Sequence, residues 1–193
     1  NIFISGILAS HVSGARAWME VAARLYQLPL GLIGVAVGVA LLRRLSSAIQ
    51  AGDHADAQAA TDQAVIFSLA LTAPAAAALV VMPHFLIDGL FTRGAFTAED
   101  ARQTGLILLN YGWGVPAFVL ARVVQPAFFA RSDTKAPMRF GLISVAVNIA
   151  LGLTLFPLVG VWGIAAATSA AAWLNIVQMV VLLAKRGDYT PTL

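Results

Sequence analysis

The chain has 193 residues, of which 60% are hydrophobic and 11% charged, and its mean hydropathy is +0.84. Such a composition excludes an ordinary soluble domain and points to a membrane protein. There is no cysteine, which removes disulfides and thiolate metal sites from consideration, and the net charge of +3 is too small and too dispersed for a nucleic-acid-binding patch.

The opening stretch NIFISGILAS carries no methionine and no basic n-region, so it reads as the remainder of a helix rather than as a signal peptide. A spanning helix needs roughly 20 mostly apolar residues. Five such stretches follow, at 17–42, 64–83, 103–122, 138–157 and 161–184. The expected fold is therefore all-α: a polytopic transmembrane bundle of five full spans plus a partial first helix, forming one membrane-embedded unit over 1–193. The connections are HVSGAR, SSAIQAGDHADAQAATDQ, HFLIDGLFTRGAFTAED, ARSDTKAP and a tight FPLVG turn. Within the second, Asp53 is expected to cap an amphipathic surface helix that has Asp56 in its first turn.

Short cytoplasmic loops collect Lys and Arg. Arg43, Arg44, Arg131, Lys135, Arg139, Lys185 and Arg186 fall on one side of the alternating topology, with Arg122 counted close to it. The other side has Arg16, Arg93 and Arg102, diluted by Asp88, Glu99 and Asp100. The first side is expected to be cytoplasmic.

In the first full span, helical spacing aligns Arg16, Glu20, Arg24, Gln27, Gly31, Gly34 and Gly38 on one stripe. Glu20 and Arg24 have the i,i+4 spacing at which opposite charges meet. An ionisable group within a span is expected to face a protein interior or a wet cavity; the competing reading has Arg24 snorkelling to the outer interface. Pro29 removes a backbone hydrogen bond and Gly31 resists bending little, which predicts a kink in the outer third. Gly34 and Gly38 form a GxxxG that permits close helix contact. Ser68, Thr72, Asn110, Asn148, Thr168, Asn175 and Gln178 are expected mostly to bridge helices.

His11, His54 and His84 lie in separate connections, and no HExxH, GxSxG, phosphate loop or paired intramembrane carboxylate occurs. No catalytic residue, metal site or cofactor is expected, and the chain does not read as an enzyme. Spans that carry a buried cation and breakable helices point instead to movement of a solute, an anion in particular.

The segments AWMEVAARLYQLPLGLIGVAVGVALLRRLS, GLFTRGAFTAEDARQT and YGWGVPAFVLARVVQPAFFARSDTKAPMR resemble, in order and spacing, the MurJ (MviN) lipid II flippases of the multidrug/oligosaccharidyl-lipid/polysaccharide exporter superfamily. Such proteins have about fourteen helices in two lobes, and this chain matches the end of the seventh helix through the twelfth. The resemblance implies that the missing N-terminal lobe is a partner. It also implies translocation of the undecaprenyl pyrophosphate-linked peptidoglycan precursor across the bacterial inner membrane by alternating access. Arg24 matches an arginine that meets the pyrophosphate in that family, with Glu20 and Gln27 beside it, and Pro29, Gly31, Gly34 and Gly38 are the expected hinge. Two positions depart from the pattern: Ala23 stands where an acidic residue is usual, and Arg43 where the proline of LPxLS is usual. Another exporter of the superfamily, for lipid-linked sugars or drugs, and a non-transporting scaffold lobe are the alternatives.

Overall fold

The computed structural model describes residues 14–91 and 97–187, and the expected partial helix near the start lies outside them. All regular structure among the described residues is helical. Helix α1 (Ala15–Pro29), a π-helical segment (Leu30–Val35) and α2 (Ala36–Gln50) form one continuous run of 36 residues. Pro29 has no N–H for the Leu25 carbonyl, and its ring crowds that oxygen. The winding widens immediately afterwards instead of breaking, which is how helices absorb such an insertion. Nothing stops the helix at Arg43, because arginine is a good helix former, and α2 runs on past the expected boundary to Gln50.

Residues 51–53 make the turn, with Gly52 in the left-handed region at φ 73°. Asp53 then caps α3 (His54–Val81), accepting a hydrogen bond from the Asp56 N–H at 2.9 Å. The cap is where the sequence puts it, but the expected surface helix is the first part of a single 28-residue helix. A short helix α4 (Pro83–Phe91) follows.

Helix α5 (Ala98–Gly112) opens with a capping box. Thr97 Oγ1 accepts from the Asp100 N–H at 3.2 Å, and Asp100 Oδ2 accepts from the Thr97 N–H at 2.8 Å. The span expected at 103–122 is not one helix: α5 and α6 (Val115–Phe129) meet at a 40° bend across Trp113 and Gly114. Pro116 starts α6, and its missing N–H suits a first turn. The carbonyls freed at the break are met from α8: Ser169 Oγ donates to the Asn110 carbonyl at 2.7 Å and Trp173 Nε1 to the Trp113 carbonyl at 3.1 Å. Bilayer hydrocarbon offers no water to do this.

Helices α7 (Lys135–Val159) and α8 (Trp162–Arg186) form a hairpin closed at Gly160. By length and composition four of these helices can cross a membrane, or five when the bent α5–α6 pair is one span, so the chain is a multi-pass membrane protein. The centre of the bundle is α6, where Val115, Ala117, Val119, Val123 and Phe128 are fully buried. It packs on α2, α3, α8 and the π segment, whereas α7 packs mainly on α8.

Candidate functional site

The stripe on α1 and α2 divides into two parts. Towards its N-terminal end, Arg16, Glu20, Arg24, Gln27 and Gly31 are exposed. Arg24 Nη2 and Glu20 Oε1 are 2.7 Å apart, with 71% and 66% of their side chains exposed. A methyl group at Gly31 would meet nothing within 4 Å. Deeper, Gly34 and Gly38 are buried against α6. A Cβ at Gly34 would lie 3.2 Å from Arg122 Cδ, and one at Gly38 would lie 3.0 Å from the Arg122 carbonyl oxygen. These two glycines are therefore contact residues that let α6 approach, while Pro29 precedes the change in winding and Gly31 lies within it.

The stem of Arg122 crosses Gly34, nine residues before Arg43 on the continuous helix. At about 1.5 Å per residue that is roughly 13 Å along the helix axis from Arg43. Arg122 stands in LARVVQPAFF with no other charge before Arg131. Behind the stripe, Tyr26 packs on Tyr111 and Phe118, with ring centroids 4.5 and 5.5 Å apart, and Arg122 lies close enough to Tyr26 to interact with it electrostatically.

Both ends of the bundle are tied by polar contacts. Trp18 Nε1 donates to Asp100 Oδ1 at 2.7 Å, joining α1 to α5. At the basic end Arg44 holds Asp56 at 2.5 Å and Gln63 at 2.8 Å. Arg186 holds Asp133 at 2.7 Å across the α6–α7 connection. That hydrogen bond, seconded by the Ala136 N–H, keeps the Asp133 carboxyl below the usual carboxylate range. A groove of about 760 Å³ between α2 and α3, lined by Val37, Leu41, Arg44, Gln63 and Phe67, includes neither Arg24 nor Arg122.

The polar residues inside the spans behave differently from expectation. Thr72, Asn110 and Thr168 bond carbonyls of their own helices, at Ser68, Leu106 and Ile164. The bridging falls to Ser169 and Trp173 instead. Among the described residues no group of three His, Asp or Glu is placed to hold a metal ion.

The family model described as lipid II flippase MurJ matches residues 1–193, the whole chain. The chain belongs to the MurJ family. A protein of Rhizobium tropici named as a probable lipid II flippase MurJ is 46% identical over 97% of this chain, and one of Rhizobium meliloti (strain 1021) with the same name is 45% identical over 98%. In both cases this chain spans 35% of the relative's length. A solved structure titled lipid II flippase MurJ, inward closed conformation, superposes with a TM-score of 0.85 at 24% identity, over 97% of this chain and 39% of that one. The helical architecture of that structure thus extends over 97% of this chain.

Proposed function

We propose that this chain is the part of a bacterial inner-membrane flippase that presents one cationic wall to the lipid-linked peptidoglycan precursor, and that Arg24 binds the precursor's pyrophosphate. The observation that carries the reading is the open polar face of α1 in a chain of the MurJ family. There a guanidinium, held by Glu20 alone among the described residues, keeps donors available for phosphate. Its planar fork suits bidentate pairing with phosphate oxygens. Alternating access needs a second lobe moving against this one, which the remaining length of the relatives supplies. Pro29, Gly31 and the π segment are the hinge in this reading, and Gly34 and Gly38 the sliding contact.

One observation favours a second role for Arg24. Nineteen residues of continuous helix separate it from Arg43, roughly 28 Å along the axis, so it stands near the outer edge of the hydrocarbon and within snorkelling reach of the interface. The two roles part on substitution in a full-length protein that contains this segment. Under the phosphate role, Arg24→Ala fails to support growth of a flippase-depleted strain at normal membrane abundance, and Arg24→Lys supports it partly. Under the snorkelling role, Arg24→Lys grows as well as wild type. Full growth of Arg24→Ala at matched abundance would sink the pyrophosphate assignment.

A further inference from the structure

Two spans of this segment change direction or winding at the same level. N-terminal to the π segment α1 packs mainly on α5, whereas beyond it α2 packs on α3 and α6. Tyr26, four residues before Leu30, packs on Tyr111 and Phe118, which lie on either side of the bend at Trp113 and Gly114. Helix α1 is therefore an arm that rests on α5 and joins α2 through a change in winding of the kind often found at functional sites.

The far end of the arm is fastened to α5 by a directed polar contact. Trp18 Nε1 donates to Asp100 Oδ1 at 2.7 Å. Both partners are held from behind. Asp100 Oδ2 accepts from the Thr97 N–H at 2.8 Å and from the Thr97 hydroxyl at 2.7 Å, which orients the carboxylate and leaves Oδ1 to the indole. The Trp18 ring lies against Gly14, where a Cβ would come 3.0 Å from Cε2 and Cζ2 on a backbone at φ 84°. An indole N–H can only donate and a carboxylate accepts strongly, so the contact has a defined geometry.

Six residues separate Trp18 from Arg24, and six more separate Arg24 from Leu30, where the π segment begins. Arg24 thus stands midway along a lever roughly 18 Å long. A tilt of the arm by about 10° at the π segment moves Arg24 by roughly 1.5 Å, and a misplacement of about 1 Å is enough to spoil a fixed constellation. We propose that Trp18 is a positioning residue: its bond to Asp100 sets the angle of α1 on α5, and with it the place of the Arg24 guanidinium. The inference rests on the flippase reading and deepens it.

The test uses a full-length protein containing this segment, purified into nanodiscs, with undecaprenyl pyrophosphate as the probe. Trp18→Phe keeps an aromatic ring beside Gly14 and removes the N–H. It is expected to weaken probe binding by roughly 3- to 30-fold, inside the range for sites coupled through a shared backbone shift, and to add little in the Arg24→Ala background. A merely structural role would weaken binding alike in both backgrounds. Spin labels at Ala17→Cys and Arg102→Cys, with other cysteines removed, should report a broader α1–α5 distance distribution once Trp18→Phe is added. Asp100→Asn offers one acceptor oxygen where two are used; it should reproduce both effects and serves if Trp18→Phe does not accumulate. With Arg24→Ala weakened, wild-type binding in Trp18→Phe, an unchanged distance distribution, or equal losses in the two backgrounds overturns this inference and leaves the flippase reading standing. Wild-type binding in Arg24→Ala overturns the pyrophosphate assignment and this inference with it.

Discussion

The α7–α8 hairpin and the α1–α2–α6 face are built from similarly apolar sequence but solve different problems. Each helix of the hairpin is 25 residues of regular α-helix, and α7 turns Met138, Leu142, Val145 and Leu153 outward, as a lipid-facing helix does. The other face holds the π segment after Pro29, the bend at Trp113 and Gly114, and the arginines Arg24 and Arg122. Irregular backbone at membrane depth persists only where protein or a wet cavity satisfies it. In the proposed function the side that carries this irregularity and charge is the one that meets the substrate, and the regular hairpin acts as its brace.

The contrast can be broken most severely at the bend. A Cβ at Gly114 would lie 2.6 Å from Ser169 Cβ and 3.0 Å from Ser169 Cα, so Gly114→Ala should cost about 1–3 kcal/mol or more through overpacking. Gly141, the seventh residue of α7, has nothing within 4 Å of such a methyl. There Gly141→Ala should be neutral or stabilise by up to about 1 kcal/mol. Thermal unfolding of the two variants in detergent, followed by helical circular dichroism, compares them directly. Equal melting temperatures would mean that the bend is not packed as described.

A smaller effect separates bridging from self-bonded hydroxyls on a single helix. Ser169→Ala strands the Asn110 carbonyl at the break and should cost about 1 kcal/mol. Thr168→Val removes only a bond to its own helix and should cost less in the same melts. Pro29→Ala sharpens the comparison another way. It restores a donor and should return the π segment towards α winding at unchanged or higher stability, yet lower the flipping rate measured with a lipid-linked precursor in vesicles. A variant that flips at the wild-type rate would separate the π segment from transport.

The smallest expected effect lies at the basic end. Asp133 has its carboxyl lowered first by the hydrogen bond from Arg186. Its contribution to stability is therefore fully present above the unfolded carboxylate range, near pH 4, and disappears as pH falls through the lower folded value. Because the pair is partly exposed, that contribution should stay below about 1 kcal/mol. The difference in melting temperature between wild type and Asp133→Asn should narrow when the pH is taken from 7 to 3.

The number and order of spans were legible because hydropathy and length are local properties. The Asp53 cap was legible too, since its partner is three residues away. The break at Trp113 and Gly114 was not: the stretch is apolar throughout, and the groups that stabilise the break, Ser169 and Trp173, lie 59 and 60 residues further on. Helical spacing cannot tell Thr168 from Ser169 as the bridging hydroxyl, because the rotation of α8 is set by packing. Pro29 announced an irregularity but not that a π turn would absorb it. Of the candidate site, the Glu20–Arg24 pair followed from i,i+4 spacing. The approach of Arg122 to Gly34 was not legible, because it joins positions 88 apart in the chain.

The central claim is that the outer stripe of α1 lines a wet path occupied by a phosphate-bearing lipid, while α7 faces hydrocarbon. The segment has no cysteine of its own, so Gln27→Cys and Leu142→Cys can be compared in a full-length protein whose other cysteines are removed, using a water-soluble thiol reagent. The account predicts rapid labelling at Gln27→Cys that slows when undecaprenyl pyrophosphate is added, and no labelling at Leu142→Cys under either condition. Labelling at Gln27→Cys that the lipid leaves unchanged, or labelling no faster than at Leu142→Cys, would contradict it.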